Sequence, residues 1–181
     1  MSAIERAISE LRAEPDSAIM SIQTVQKGGD DSDSQAAQLS DDNSKIIPAP
    51  PNGEWNQKFI VELVPDTFEL TFAIVLEDGT KVYVTSKDAS AGDYLLVSCE
   101  PTVYGVGADD DGLLYVPPFY PGRHLFDVLY TNNSFFTEGK DGVELYWTWI
   151  TGFPGPQIIL QTWEDFKKSN KAWKFAKDTT D

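Results

Sequence analysis

The sequence predicts a mainly β fold, and three observations carry that prediction. Along 66–86, DTFELTFAIVLEDGTKVYVTS, large apolar residues recur at a strict period of two: Phe68, Leu70, Phe72, Ile74 and Leu76. From residue 54 to 161, short apolar runs alternate with Gly, Pro, Asp and Asn punctuation. No helical pattern intervenes between those runs, which argues for an antiparallel β-sandwich or barrel-like body over an α/β sheet. A helical arm precedes this body and an amphipathic helix follows it. The expected division is a docking arm over 1–26, a flexible linker over 27–53, the β body over 54–161 and a packed helix over 162–181.

The arm begins with Ser2 and Glu5 at capping-box spacing, and Ile4, Ile8 and Leu11 recur at i, i+4, i+7. Pro15 stops that helix. Asp16 caps a second one, with Ala18, Ile22 and Val25 on one face. Isolated helices under about 12–15 residues are marginal in water, so both need a surface to lie on. The segment KGGDDSDSQAAQLSDDNSKIIPAPPNG then reads as an acidic Ser/Asp/Pro linker, because Leu39, Ile46 and Ile47 are its only large apolar residues.

Within the body, strands are expected at 58–64, at the hairpin, and at 93–100, 113–116, 125–131 and 143–150. The hairpin register turns on Glu77-Asp78-Gly79. A two-residue loop would set Ile74 opposite Tyr83. A three-residue loop with Gly79 left-handed pairs Ile74 with Val82 and Phe72 with Val84, placing every large aliphatic on one face; this second register is the expectation. Stretches 91–93, 105–112 and 139–142 read as loops, and no internal repeat is apparent. At the C-terminus, Thr162 and Asp165 have capping-box spacing. Phe166, Ser169, Ala172, Trp173 and Ala176 gather on one helix face, opposite Lys167, Lys171 and Lys174.

Charge narrows the function classes. The chain holds 14 Lys+Arg against 29 Asp+Glu, a net −15, which disfavours nucleic acid and anionic membrane as partners. No apolar run approaches the roughly 20 residues of a membrane span. The N-terminal residues lack the apolar core of a signal peptide, so an intracellular or cytoplasmic protein, or one assembled in a particle, is expected, with Asn132-Asn133-Ser134 idle as a glycan acceptor. Cys99 stands alone, which excludes an intrachain disulfide and a multi-Cys zinc site.

Candidate chemistry is sparse. Aligning Gly112 of Asp109-Asp110-Asp111-Gly112 with the glycine of an EF-hand puts Gly107 at the first ligand position and Pro118 at the last, so that match fails. His124 and Cys99 are the only residues of their types, and Cys99 alternates with Leu95 and Val97 as a small buried hydrophobe does. Phosphate loops, nucleophile elbows and metalloprotease helices have no match. Trp147 and Trp149 share one face of a strand, roughly 7 Å apart, and burial in the core is the expectation for them. Phe119, Tyr120 and Phe153 sit in proline-rich loops suited to exposed contacts.

These readings make the chain a non-enzymatic structural or interaction protein without cofactor or metal, whose N-terminal arm docks into a larger assembly. A virion or similar multi-subunit particle is one such assembly. The partner-binding residues are Ile4, Ile8, Leu11, Ile22 and Val25 on the arm, and Phe119, Tyr120 and Phe153 in the loops. The partner is another protein or a second copy of the chain. Two alternatives come from other classes: a carbohydrate-binding module that takes a glycan on its aromatic loops, and an acidic inhibitor or immunity protein that masks a basic surface.

Overall fold

The structure is a computed structural model that describes residues 17–26, 34–64, 69–108, 133–151, 155–169 and 171–177. The first arm helix and the strands expected at 113–116 and 125–131 lie outside the described residues. Within them the chain is mainly β and every strand pairing is antiparallel. The strands are β1 Ser17–Gln26, β2 Ala36–Leu39, β3 Ile46–Ala49, β4 Phe59–Leu63, β5 Glu69–Val75 and β6 Lys81–Thr85. They continue with β7 Leu96–Ser98, β8 Tyr104–Ala108, β9 Asn133–Glu138, β10 Glu144–Ile150, β11 Gln157–Gln161 and β12 Lys171–Lys177. A 3-10 turn at Trp55–Gln57 precedes β4, and one short helix, α1 Trp163–Lys168, precedes β12. No described helix is long and apolar enough to cross a membrane.

The pairings divide the chain into three units of one pattern: a first strand, a hairpin and a return strand. The units are β1–β4, β5–β8 and β9–β12. In each, the first strand pairs with the return strand, through β1 with β4, β5 with β8 and β9 with β12. Each return strand then pairs with the first strand of the next unit, through β4 with β5, β8 with β9 and β12 with β1. These six pairings run in a cycle, with β9–β12 its thinnest link at the single pair Trp173↔Asn133. The hairpins β2–β3, β6–β7 and β10–β11 meet one another: Ile46 N donates to Leu95 O at 2.8 Å and Leu160 N to Asp93 O at 2.8 Å. Ile46, Leu95 and Leu160 are all buried there.

This threefold pattern of pairings has no counterpart as a repeat in the sequence. The return strands share only the spacing of two inward residues, Phe59/Val61, Tyr104/Val106 and Trp173/Phe175, all buried. The repeat therefore lives in backbone pairing and period-two polarity, with no shared residue for the eye to find.

The second arm helix is corrected. Residues 17–26 form β1, whose Met20, Ile22 and Thr24 point inward at period two. Hydrogen bonding on both edges, to β12 and to β4 with β2, satisfies its backbone. The linker expectation fails for 34–53 as well. Ala37, Leu39 and Ile46 are few, but they face the core from β2 and β3, and Ala36 is buried on the opposite face of its strand. Buried Gln57 ties this hairpin down, donating to Gln38 Oε1 and Pro50 O, each at 2.9 Å, and accepting from Asn52 N at 2.9 Å. The turn between the two strands closes on Asp42, which accepts from the Ser40 and Ser44 hydroxyls at 2.6 Å each. Those bonds, Ser40's first, hold the Asp42 carboxyl below its usual range.

At the C-terminus the expected long helix stops at Lys168, and 171–177 form β12. Trp173 and Phe175 both face inward with Lys174 between them, a strand's alternation. Thr162 makes no side-chain capping bond. Stretch 105–112, read as a loop, contributes Gly105, Gly107 and neighbours to β8. Cys99 is exposed because it lies just past the end of β7.

The central hairpin has the three-residue loop. Ile74 pairs with Val82, Leu76 N donates to Thr80 O at 2.8 Å, and Gly79 has φ +89°. Gly105 answers a different need. A Cβ there would lie 2.4 Å from Phe136 Cζ, because that ring covers Gly105 across the β8–β9 pair. Gly105→Val is expected to lose about 1–3 kcal/mol by overpacking, read as a lower urea midpoint. Adding Phe136→Ala should recover part of the loss. Equal effects with and without the ring would place it elsewhere.

Candidate functional site

Among the described residues, most of the aromatic side chains build the core. Phe72 lies 4.9 Å from Trp147, 5.0 Å from Phe135 and 5.5 Å from Tyr104, centroid to centroid. Trp147 is fully buried, so it is core as the alternation of β10 implied. The opposite face of β10 is covered too. Tyr146 stacks on Phe166 of α1 at 5.5 Å and lies 5.1 Å from Trp163. Its hydroxyl donates to Glu144 Oε2 at 3.0 Å. Burial first, then Glu144, pushes the Tyr146 phenol up, and burial does the same to Tyr104. Both phenols therefore stay protonated near neutral pH.

Of the expected partner-binding residues, Ile22 and Val25 are among those described. Ile22 is fully buried inside β1 and Val25 is half-buried opposite Ala172, so both belong to the scaffold. Ile4, Ile8, Leu11, Phe119, Tyr120 and Phe153 lie outside the described residues, as do His124 and the Asp109–Asp111 run. Among the described residues, no three His, Cys, Asp or Glu side chains gather as a metal site would need.

One groove opens beside the core among the described residues, and the sequence reading put its Trp149 inside that core. It lies between β10, β11 and α1, encloses about 430 Å³, and is lined by Thr148, Trp149, Ile150, Thr151, Gln161, Asp165, Lys168 and Ser169. Trp149 sits there because β10 ends at Ile150, just where the core closes. Its ring is half-buried, and the Lys171 ammonium lies 4.6 Å from its centroid. Trp149 Nε1 is buried with no acceptor. Helix α1 brings Asp165 and Lys168 to the same rim, and β11 brings Gln161. Alternation along the sequence is enough to find Trp149. Its three polar companions depend on how α1 folds back between β11 and β12.

No model of a known protein family matches the chain, and no curated protein matches it in sequence.

Proposed function

We propose that this protein is a non-enzymatic interaction protein, a β scaffold of the β-trefoil type that joins a larger assembly through its outer surface. The cycle of six pairings with three hairpins supports the barrel-like form of the expected architecture. One scaffold hosts many functions, so the reading rests on the surface and not on the fold.

A single observation carries it. On the outer face of β1, β4, β5 and β6, the register aligns Ile19, Ile60, Ala73 and Tyr83 in one row. Ile19 is 52% exposed and Val75 is 43% exposed, Ile60 and Tyr83 are half-buried, and Ala73 between them is fully covered. At about 4.8 Å per strand the row is about 15 Å wide. The Lys81–Glu62 ion pair rims it, and the Lys81 ammonium lies 5.3 Å from the Tyr83 centroid. An apolar row with a charged rim is the pattern of a protein contact, and covering it gains roughly 25 cal/mol per Å². Residues 1–16, with Ile4, Ile8 and Leu11, lead directly into the strand that bears Ile19, so segment and row suit one partner. Phe119, Tyr120 and Phe153 supply further contacts in this reading. The assembly is formed inside the cell or is itself a particle such as a virion.

Mass measured in solution tests the proposal. The expected result is a species heavier than one chain that reverts to monomer in Ile19→Lys, with thermal stability retained because Ile19 faces outward. A wild type that stays monomeric, or an Ile19→Lys variant that assembles normally, removes the row as the contact. The charge favours a second reading. Residues 1–161 carry 9 basic against 25 acidic side chains, since five lysines fall in 162–181. An acidic inhibitor of a basic protein would be monomeric alone and bind its target with steep salt dependence.

A further inference from the structure

We infer that the groove between β10, β11 and α1 is a saccharide-binding site, separate from the outer apolar row and independent of it. Its volume of about 430 Å³ falls within the usual range of small-ligand pockets, roughly 300–1,000 Å³. The lining chemistry narrows the ligand. Trp149 and Ile150 give an apolar wall, and an aromatic ring favours a ligand with a flat C–H face. Gln161, Asp165 and Lys168 stand around that wall, and among the described residues none of their side-chain polar groups has a partner. Together they offer an amide that donates and accepts, a carboxylate that only accepts, and an ammonium that only donates.

A pyranose meets all of these demands at once. One face of its ring is lined by C–H bonds, and its edge carries hydroxyls that donate to a carboxylate and accept from an ammonium. A purely apolar ligand would leave the three polar side chains without bonds. A simple anion would meet Lys168 but be repelled by Asp165 on the same rim. Ser169 and Thr148 contribute less, because their hydroxyls already donate to Phe166 O at 2.6 Å and Tyr146 O at 3.0 Å.

The test is a titration with the methyl glycosides of glucose, galactose, mannose and N-acetylglucosamine, extended to a broad glycan array. Binding is followed through the tryptophan indole N–H signals by nuclear magnetic resonance. The chain has five tryptophans, and the Trp149 signal is the one missing from Trp149→Phe. The expected result is that this signal moves with at least one glycoside. Affinity should fall about tenfold or more in Asp165→Asn, where a charged hydrogen-bond partner is lost, and stay unchanged in Val103→Ala, an exposed residue just before β8 that is not in the groove lining. Asp165 is exposed, so its variant folds whatever its role. Ile19→Lys should bind the glycoside as the wild type does, which separates this site from assembly. A Trp149 signal that no glycoside moves, together with an empty array, overturns the inference. So does binding that survives Asp165→Asn undiminished.

Discussion

Phe72→Ala is expected to destabilise the protein by about 3–5 kcal/mol, the range for emptying a fully packed phenylalanine site. Phe72 is 0% exposed. Its ring meets Tyr104 from β8, Phe135 from β9, Trp147 from β10 and Phe175 from β12, at centroid distances from 4.9 to 6.3 Å. Rings from four strands thus converge on one side chain in β5, and no single neighbour can shift to fill the void without breaking other contacts. For a domain whose total stability is about 5–15 kcal/mol, such a loss takes a large share. Chemical unfolding of Phe72→Ala against the wild type measures it. Phe136→Ala, at a half-buried outer position, serves as the contrast and should cost less. A loss below about 1 kcal/mol for Phe72→Ala would mean that the inward face of β5 is misassigned.

That inward face is legible in the amino-acid sequence because everything that specifies it is local. Leu70, Phe72 and Ile74 alternate within one strand, and Gly79 at φ +89° sets the register of the next. The chain ends are not legible, for the opposite reason. In β1, Ile22 and Val25 fit a helix at i, i+3, while Met20, Ile22 and Thr24 fit a strand at i, i+2. What decides between them is Phe175, the register partner of Ile22, near the other end of the chain. The same ambiguity holds over 171–177, since both patterns include Trp173. Composition is a poor guide to 34–53, because a short hairpin needs only Ala37, Leu39 and Ile46 facing the core, with Gln57 satisfying the backbone just after β3. The groove is half legible. Asp165 is visible as a member of a capping box, yet its place beside Trp149 follows from α1 lying over β10, a tertiary fact with no local signature.

Trp173 gives the sharpest test of that tertiary arrangement. It is 1% exposed, lies edge-on to Trp147 at 5.9 Å, and donates its Nε1–H to Trp147 O at 3.0 Å. Its backbone faces Thr24 of β1 on one side and Asn133 of β9 on the other, so it stands at the thinnest link of the cycle. Trp173→Ala is expected to lose about 3–5 kcal/mol from the emptied volume. Leaving the Trp147 carbonyl buried without its donor adds about 1–3 kcal/mol. Trp173→Phe retains much of the volume and loses the hydrogen bond, so its cost should be the smaller of the two. Phe175→Ala supplies the second half of the test. In a helix, Phe175 would point about 200° away from Trp173, and one of the two residues would tolerate truncation. In β12 both point inward, and Phe175 is 5% exposed, so both truncations should be costly. Unfolding midpoints of the three variants decide the matter. If either alanine variant loses less than about 1 kcal/mol, 171–177 is not a strand of this sheet, and the cycle opens between β9 and β1.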